Sequence, residues 1–122
     1  MRNAIAAIIG SLALASCALG NHANQRPLVG EWRYADATQN CQYVFAADGS
    51  FSGTVALRGK KISQFTGRWR LEHSRLMYVY TGDALGRIPP GSTDQDKLLA
   101  VAPDRFEIEA ADGSRRTYRR VR

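Results

Sequence analysis

From Leu28 to Val121 apolar and polar residues alternate in short runs, and turn-forming residues cut these runs at nearly regular intervals. A period of two puts every second side chain on one face of an extended strand, whereas the faces of a helix repeat about every 3.6 residues. The pattern therefore restricts the chain to β structure. It predicts a strand over 28–34, with Leu28, Gly30, Trp32 and Tyr34 on one face, and another over 41–47, with Cys41, Tyr43 and Phe45 together. In 50–57 Phe51, Gly53, Val55 and Leu57 oppose Ser52 and Thr54, and in 62–71 Phe65, Gly67, Trp69 and Leu71 alternate with Thr66, Arg68 and Arg70. Leu76, Tyr78 and Tyr80 are in phase over 75–81, and 97–102 follows. In 105–111 Phe106, Ile108 and Ala110 face inward against Arg105, Glu107 and Glu109, and 114–121 closes the set. Every aromatic residue of the chain falls inside one of these strands, as a β core requires.

The breaks carry their own chemistry. Asp48-Gly49 and Asp112-Gly113 read as hairpin turns of type I′, with positive φ at both central residues. Both lie in a repeated Ala-Ala-Asp-Gly-Ser, at 46–50 and 110–114, which implies the same hairpin used twice. The segment Gly82 to Asp94, rich in Gly and Pro, is the one long connection, and no helix is expected after the N-terminal segment. Consecutive strands with short turns are most simply joined as an antiparallel up-and-down meander. Closing it into an eight-stranded barrel removes exposed edges, and a split sandwich crossing over at 82–94 is the competing architecture. Leu28 to Arg122 suffices for one domain, at 28–122.

The N-terminus gives an address. The apolar run Ala4 to Ala15 follows a single positive residue, Arg2, and is too short to span a bilayer, which takes about 20 residues. Together with the small residues at its end it reads as a secretory signal. Leu14-Ala15-Ser16-Cys17 reads further as a bacterial lipoprotein processing site: small residues before the cut, then a thiol to alkylate. The expected organisation is a signal peptide at 1–16, a lipidated Cys17 and a flexible tether over 17–27. The alternative is an ordinary signal cut after Gly20. With Ala18 and no Asp after the cysteine, lipidation implies a bacterial envelope protein, expected at the outer membrane and facing the periplasm. Its acyl chains, palmitate among them, then supply a membrane partner. Cys17 and Cys41 are the only cysteines, so either route leaves Cys41 alone in an oxidising compartment. Cys41 is expected as a buried apolar residue, with an intermolecular disulfide the sharper reading.

Several fragments carry a family resemblance: Gly30-x-Trp32, Tyr43-x-Phe45-x-x-Asp48-Gly49-x-Phe51, Thr66-Gly67-x-Trp69 and Tyr118-x-Arg120. Together they resemble lipocalins and small bacterial lipocalin-like domains. The resemblance implies that Trp32 plugs the closed end of the barrel and that Arg120 packs over it, a cation–π contact of about 0.5–2 kcal/mol. It also implies an interior just wide enough to be filled by side chains or to hold one small ligand. Phe45, Phe51, Phe65, Trp69, Tyr78 and Phe106 are the candidate lining, either packed or surrounding a small apolar pocket. A fainter likeness, in Leu28-Val29-Gly30-Glu31-Trp32 followed by Cys41, is to periplasmic inhibitors of secreted metalloproteases. Those proteins use a free N-terminus and a disulfide, and this chain is expected to have neither.

Catalytic chemistry is not in view. The two histidines, His22 in the tether and His73 in a turn, offer no zinc spacing and no triad context, so no metal, no cofactor and no catalytic residue is assigned. The chain carries 17 basic and 11 acidic side chains, +6, with Arg115, Arg116, Arg119, Arg120 and Arg122 clustered at the C-terminus. Arg115 and Arg119 are expected outward beside Arg105. They form either a solvated face partly paired with Glu107 and Glu109 or a surface attracted to anionic lipid. Nucleic acid is not expected as a partner of an envelope lipoprotein. The function so implied is noncatalytic: binding of a small apolar ligand or an envelope protein, with a ligand-free interaction module as the rival.

Overall fold

The computed structural model describes residues 25–122, so the signal peptide, Cys17 and the tether up to Asn24 lie outside the described residues. A 3-10 helix, η1 (Arg26–Leu28), leads into β1 (Gly30–Ala35), β2 (Gln39–Phe45), β3 (Ser50–Leu57), β4 (Lys60–Glu72), β5 (Arg75–Asp83), β6 (Thr93–Ala102), β7 (Arg105–Glu109) and β8 (Arg115–Arg120). Each strand pairs antiparallel with the next, and β1 pairs with β8 through Trp32↔Arg120 and Arg33↔Arg119. The result is a closed barrel in strand order, which excludes the sandwich. Closure is finished by Glu31 N–H donating to Arg122 O at 2.7 Å and Val121 N–H to Glu31 O at 2.7 Å. Residues 25–122 close the barrel among themselves: all eight described strands pair within this range, and the apolar cluster around Trp32 and Phe45 lies within it too.

Four expectations change. Arg26–Leu28 is helical where a tether and the start of a strand were expected, because Pro27 suits the first helical turn. β6 begins at Thr93, not at 97, and the long loop shrinks to 84–92. Asp83 organises that loop: its carboxylate accepts from the N–H groups of Gln64 and Leu85, each at 2.9 Å, from Ile88 N–H at 3.2 Å, and from Ser63 Oγ. The two Asp-Gly turns are not type I′. Only the glycine has positive φ, at 90° in Gly49 and 86° in Gly113. Gly49 N–H closes the turn on Ala46 O at 3.1 Å, and Gly113 N–H closes on Ala110 O at 2.9 Å. In each the aspartate accepts from the following serine N–H at 2.9 Å and Oγ at 2.7 Å. The repeated pentapeptide does build one hairpin twice. The two-residue turns with positive φ at both centres lie elsewhere, at Arg58-Gly59 and His73-Ser74. Lastly, Leu57 is 40% exposed: it is the last residue of β3, at the rim, opposite Gln39 and the exposed Lys60.

Candidate functional site

Turns 46–49, 73–74 and 103–104 share one end of the barrel with η1, and 36–38, 58–59, 84–92 and 110–114 share the other. The first end is closed. Leu28 and Trp32 are fully buried there, and Trp32 Nε1 donates to Leu28 O at 2.9 Å. The indole meets Phe106 edge-on at 4.8 Å, and the Arg120 guanidinium lies over it, Cζ to centroid 4.2 Å. Arg120 also donates from Nε to Pro103 O at 2.6 Å, from Nη1 to Val29 O at 3.0 Å and from Nη2 to Pro27 O at 2.8 Å. One planar fork thus ties η1, β8 and the β6–β7 turn across the indole, which a lysine cannot do. Gly30, at φ 143°, leaves room for it: a Cβ there would run into the guanidinium.

Above this plug the candidate lining residues pack on one another. Phe45, Phe51, Phe65, Trp69, Tyr78 and Phe106 are exposed by only 1–4%. Phe45 stands 4.9 Å from Trp69, and Phe51 stands 5.2 Å from Tyr78. These six form the core and present almost no surface to a ligand.

The other end is different in kind. Tyr43, Val55 and Leu98 pack against the core and are only partly buried. The Tyr43 ring is surrounded by Phe45, Phe65, Tyr78 and Tyr118 at 5.2–6.2 Å. Asp96 enters because β6 starts early: it pairs with Leu76, whose side chain is in the core, and its carboxylate accepts from Tyr78 Oη at 3.0 Å. Burial pushes its acid up to about 6; the Tyr78 hydrogen bond and Arg116 oppose the rise, and Asp94 adds to it. Arg116, opposite Ile108 on the inward face of β8, holds its guanidinium 5.6 Å from the centroid of Tyr34. Among the described residues it makes no ion pair. Burial raises the hydroxyl pKa values of Tyr43, Tyr78, Tyr80 and Tyr118, so all four remain protonated donors. Cys41 lies among them at 1% exposure, its thiol raised by burial and accepting from Gln39 Nε2 at 3.3 Å. So deep a sulfur offers no face for an intermolecular disulfide.

Neither a family model nor a curated protein sequence matches the chain. Among solved structures it is similar to a lipocalin-like protein from Bacteroides uniformis ATCC 8492, at 18% identity and a TM-score of 0.56. The match covers 77% of this chain and 98% of that one. The fold is lipocalin-like.

Within this lipocalin-like barrel, alternation in the sequence places Trp32 and Arg120 together, and the structure sets them in contact. Alternation also puts Arg116 on the face of Tyr118, a signal the charge reading passed over in favour of Arg115 and Arg119. Asp94 and Asp96 were missed because Thr-Asp-Gln-Asp-Lys has no apolar alternation to mark it as a strand. Among the described residues no His, Cys, Asp and Glu cluster is suited to a metal. A groove of about 600 Å³ lies on the outer wall of β2–β5, lined by Gln42, Val44, Ser52, Thr54, Gln64 and, at one edge, Asp83. It runs up to Asp83 and Ala84, where the 84–92 loop begins.

Proposed function

We propose that the protein is an envelope-anchored lipoprotein whose noncatalytic barrel binds one small amphipathic ligand at its open end. The reading is supported above all by Arg116, an inward guanidinium that has no carboxylate partner among the described residues and stands above partly buried apolar surface. The apolar part of the ligand rests on Tyr34, Tyr43, Val55 and Leu98, and its polar or anionic group meets Arg116. The protonated tyrosines nearby donate hydrogen bonds to it. Small-molecule sites have this composition, mostly apolar walls with a few convergent polar groups. The deep interior is too full to share the work, so the ligand is held near the rim.

A ligand-free interaction module remains the second reading, favoured by the tight packing of Phe45, Phe51 and Phe106. Two measurements separate them. Native mass spectrometry of the protein extracted from its own membranes reports the acyl chains on Cys17 and any retained small molecule together. Titration with anilinonaphthalene sulfonate, an anionic aromatic probe, is expected to show one site that Arg116→Gln weakens about tenfold, the loss of one charge-assisted hydrogen bond of about 1.5 kcal/mol. No retained molecule and no Arg116-dependent probe site would leave the interaction module as the function.

A further inference from the structure

The outer wall of the barrel near its closed end carries a row of like charges that a sheet normally avoids. Arg33 of β1 stands directly opposite Arg119 of β8, and Arg119 opposite Arg105 of β7. All three are exposed. Opposed residues on one face lie about 4.5–5.5 Å apart at Cβ, where like charges destabilise the pair. The same wall shows the usual remedy nearer the open end: Arg115, Glu109 and Lys97 stand opposite one another in β8, β7 and β6, so the sign alternates. The arginine row has no such relief. Arg33 and Arg119 form no ion pair among the described residues. Arg105 reaches only the exposed Asp104, at 3.2 Å. Glu107 and Glu109, the expected partners, take no arginine, and Glu31 is already held by Arg122 at 3.0 Å. On the β2 side the row ends at the uncharged Gln42, opposite Arg33.

We infer that Arg33, Arg119 and Arg105 form a docking surface for the phosphates of anionic membrane lipids, which seats the barrel against the bilayer by its β1–β8–β7 wall. The phosphates supply the negative charge that the row lacks, and each guanidinium can take a phosphate through a two-pronged hydrogen bond. The position of the chain favours a membrane as the occupant. The described chain begins beside the closed end, where Gln25 Oε1 accepts from Leu71 N–H at 3.3 Å. Arg105 opens β7 and Arg119 is one residue from the end of β8, so the row belongs to that same end. Seven residues lie between Cys17 and Gln25, eight backbone steps with a reach of about 26 Å. This direction of approach rests on the lipid-anchor reading; the charge row does not.

The test uses the barrel of residues 25–122, without the anchor, so that the row and the anchor can fail separately. Binding is measured by flotation with vesicles of equal parts phosphatidylglycerol and phosphatidylcholine, and with phosphatidylcholine alone, in about 0.1 M salt. Binding to the anionic vesicles only is expected. The combined Arg33→Gln, Arg105→Gln and Arg119→Gln variant should lose about a hundredfold in affinity, at about fivefold per arginine. The combined Arg58→Gln, Lys60→Gln and Lys61→Gln variant removes the same charge at the open end and should lose less than fivefold. Equal losses in the two variants, or none in the first, overturn the proposal. So does saturable binding of inorganic phosphate at the row with affinity matching that for vesicles, which would make it a site for soluble anions. The first variant should also melt no lower than the parent, since it removes like-charge repulsion; a large fall would mean that the arginines are structural.

Discussion

The two ends of this barrel are built from the same alternating strands and do opposite things with them. At the closed end the polar groups of the plug are matched: the Trp32 indole donates to Leu28 O, and Arg120 divides its donors among three carbonyls while covering the indole. At the open end the inward face carries Asp96, Arg116 and the protonated tyrosines, and the hydrophobic residues among them are incompletely covered. Complete matching at the plug yields stability; the incomplete matching at the rim is what a ligand can finish. Burial without partners costs a polar group several times what a made hydrogen bond contributes, so groups left short inside a barrel are a cost that function explains.

The largest expected effect probes that division directly. Trp32→Ala should destabilise by about 4 kcal/mol, the loss of a large buried ring together with the platform beneath Arg120. Tyr43→Phe at the other end should change stability by less than about 1 kcal/mol. Chemical denaturation of both variants checks this, and comparable losses would break the distinction between the ends. Next comes Asp96. Its acid is raised in the fold, so the protonated form is the one the fold prefers. The associated stability is fully present below the unfolded pKa near 4 and is lost as pH rises through about 6. Asp96→Asn should therefore leave stability at pH 4 unchanged and raise it above pH 7 by up to about 3 kcal/mol. Melting curves across that range would show the parent falling with pH and the variant flat between them. An unchanged pH profile would mean that Asp96 is solvated, and the open end more exposed than described.

Arg120→Lys keeps the charge and loses the fork, and should cost about 2 kcal/mol through the abandoned carbonyls. The smallest effect belongs to Arg116→Gln, expected within about 0.5 kcal/mol of the parent in stability while weakening the anionic probe. An arginine at each end of the same inward face of β8 then separates cleanly into one that holds the fold and one that awaits a ligand. A loss at Arg116 as large as that at Arg120 would merge the two roles.

Much of this was legible beforehand. Trp32, Phe45, Phe51, Phe65, Trp69 and Phe106 read as inward from alternation alone, and all are buried. The long loop was drawn too long at both ends, because β5 runs on to Asp83 and β6 opens with Asp94 and Asp96, which share the faces of Tyr78 and Leu76 without being apolar. The two Asp-Gly hairpins were located but misassigned in type. The dipeptide allows more than one turn, and the serine after it, by bonding back to the aspartate, favours the form in which only the glycine crosses to positive φ.

The sequence by itself determined that the chain is β, where most strands run and which residues face in, because a strand has a period of two and a helix has not. It also assigned Trp32 and Arg120 to the same compartment. Only the tertiary structure decided that the sheet closes, that the deep interior is full, and that Asp96, Arg116 and four tyrosines converge at one rim. Closure and register join residues far apart in the chain, and local alternation says which face a side chain takes but not which strand it meets there.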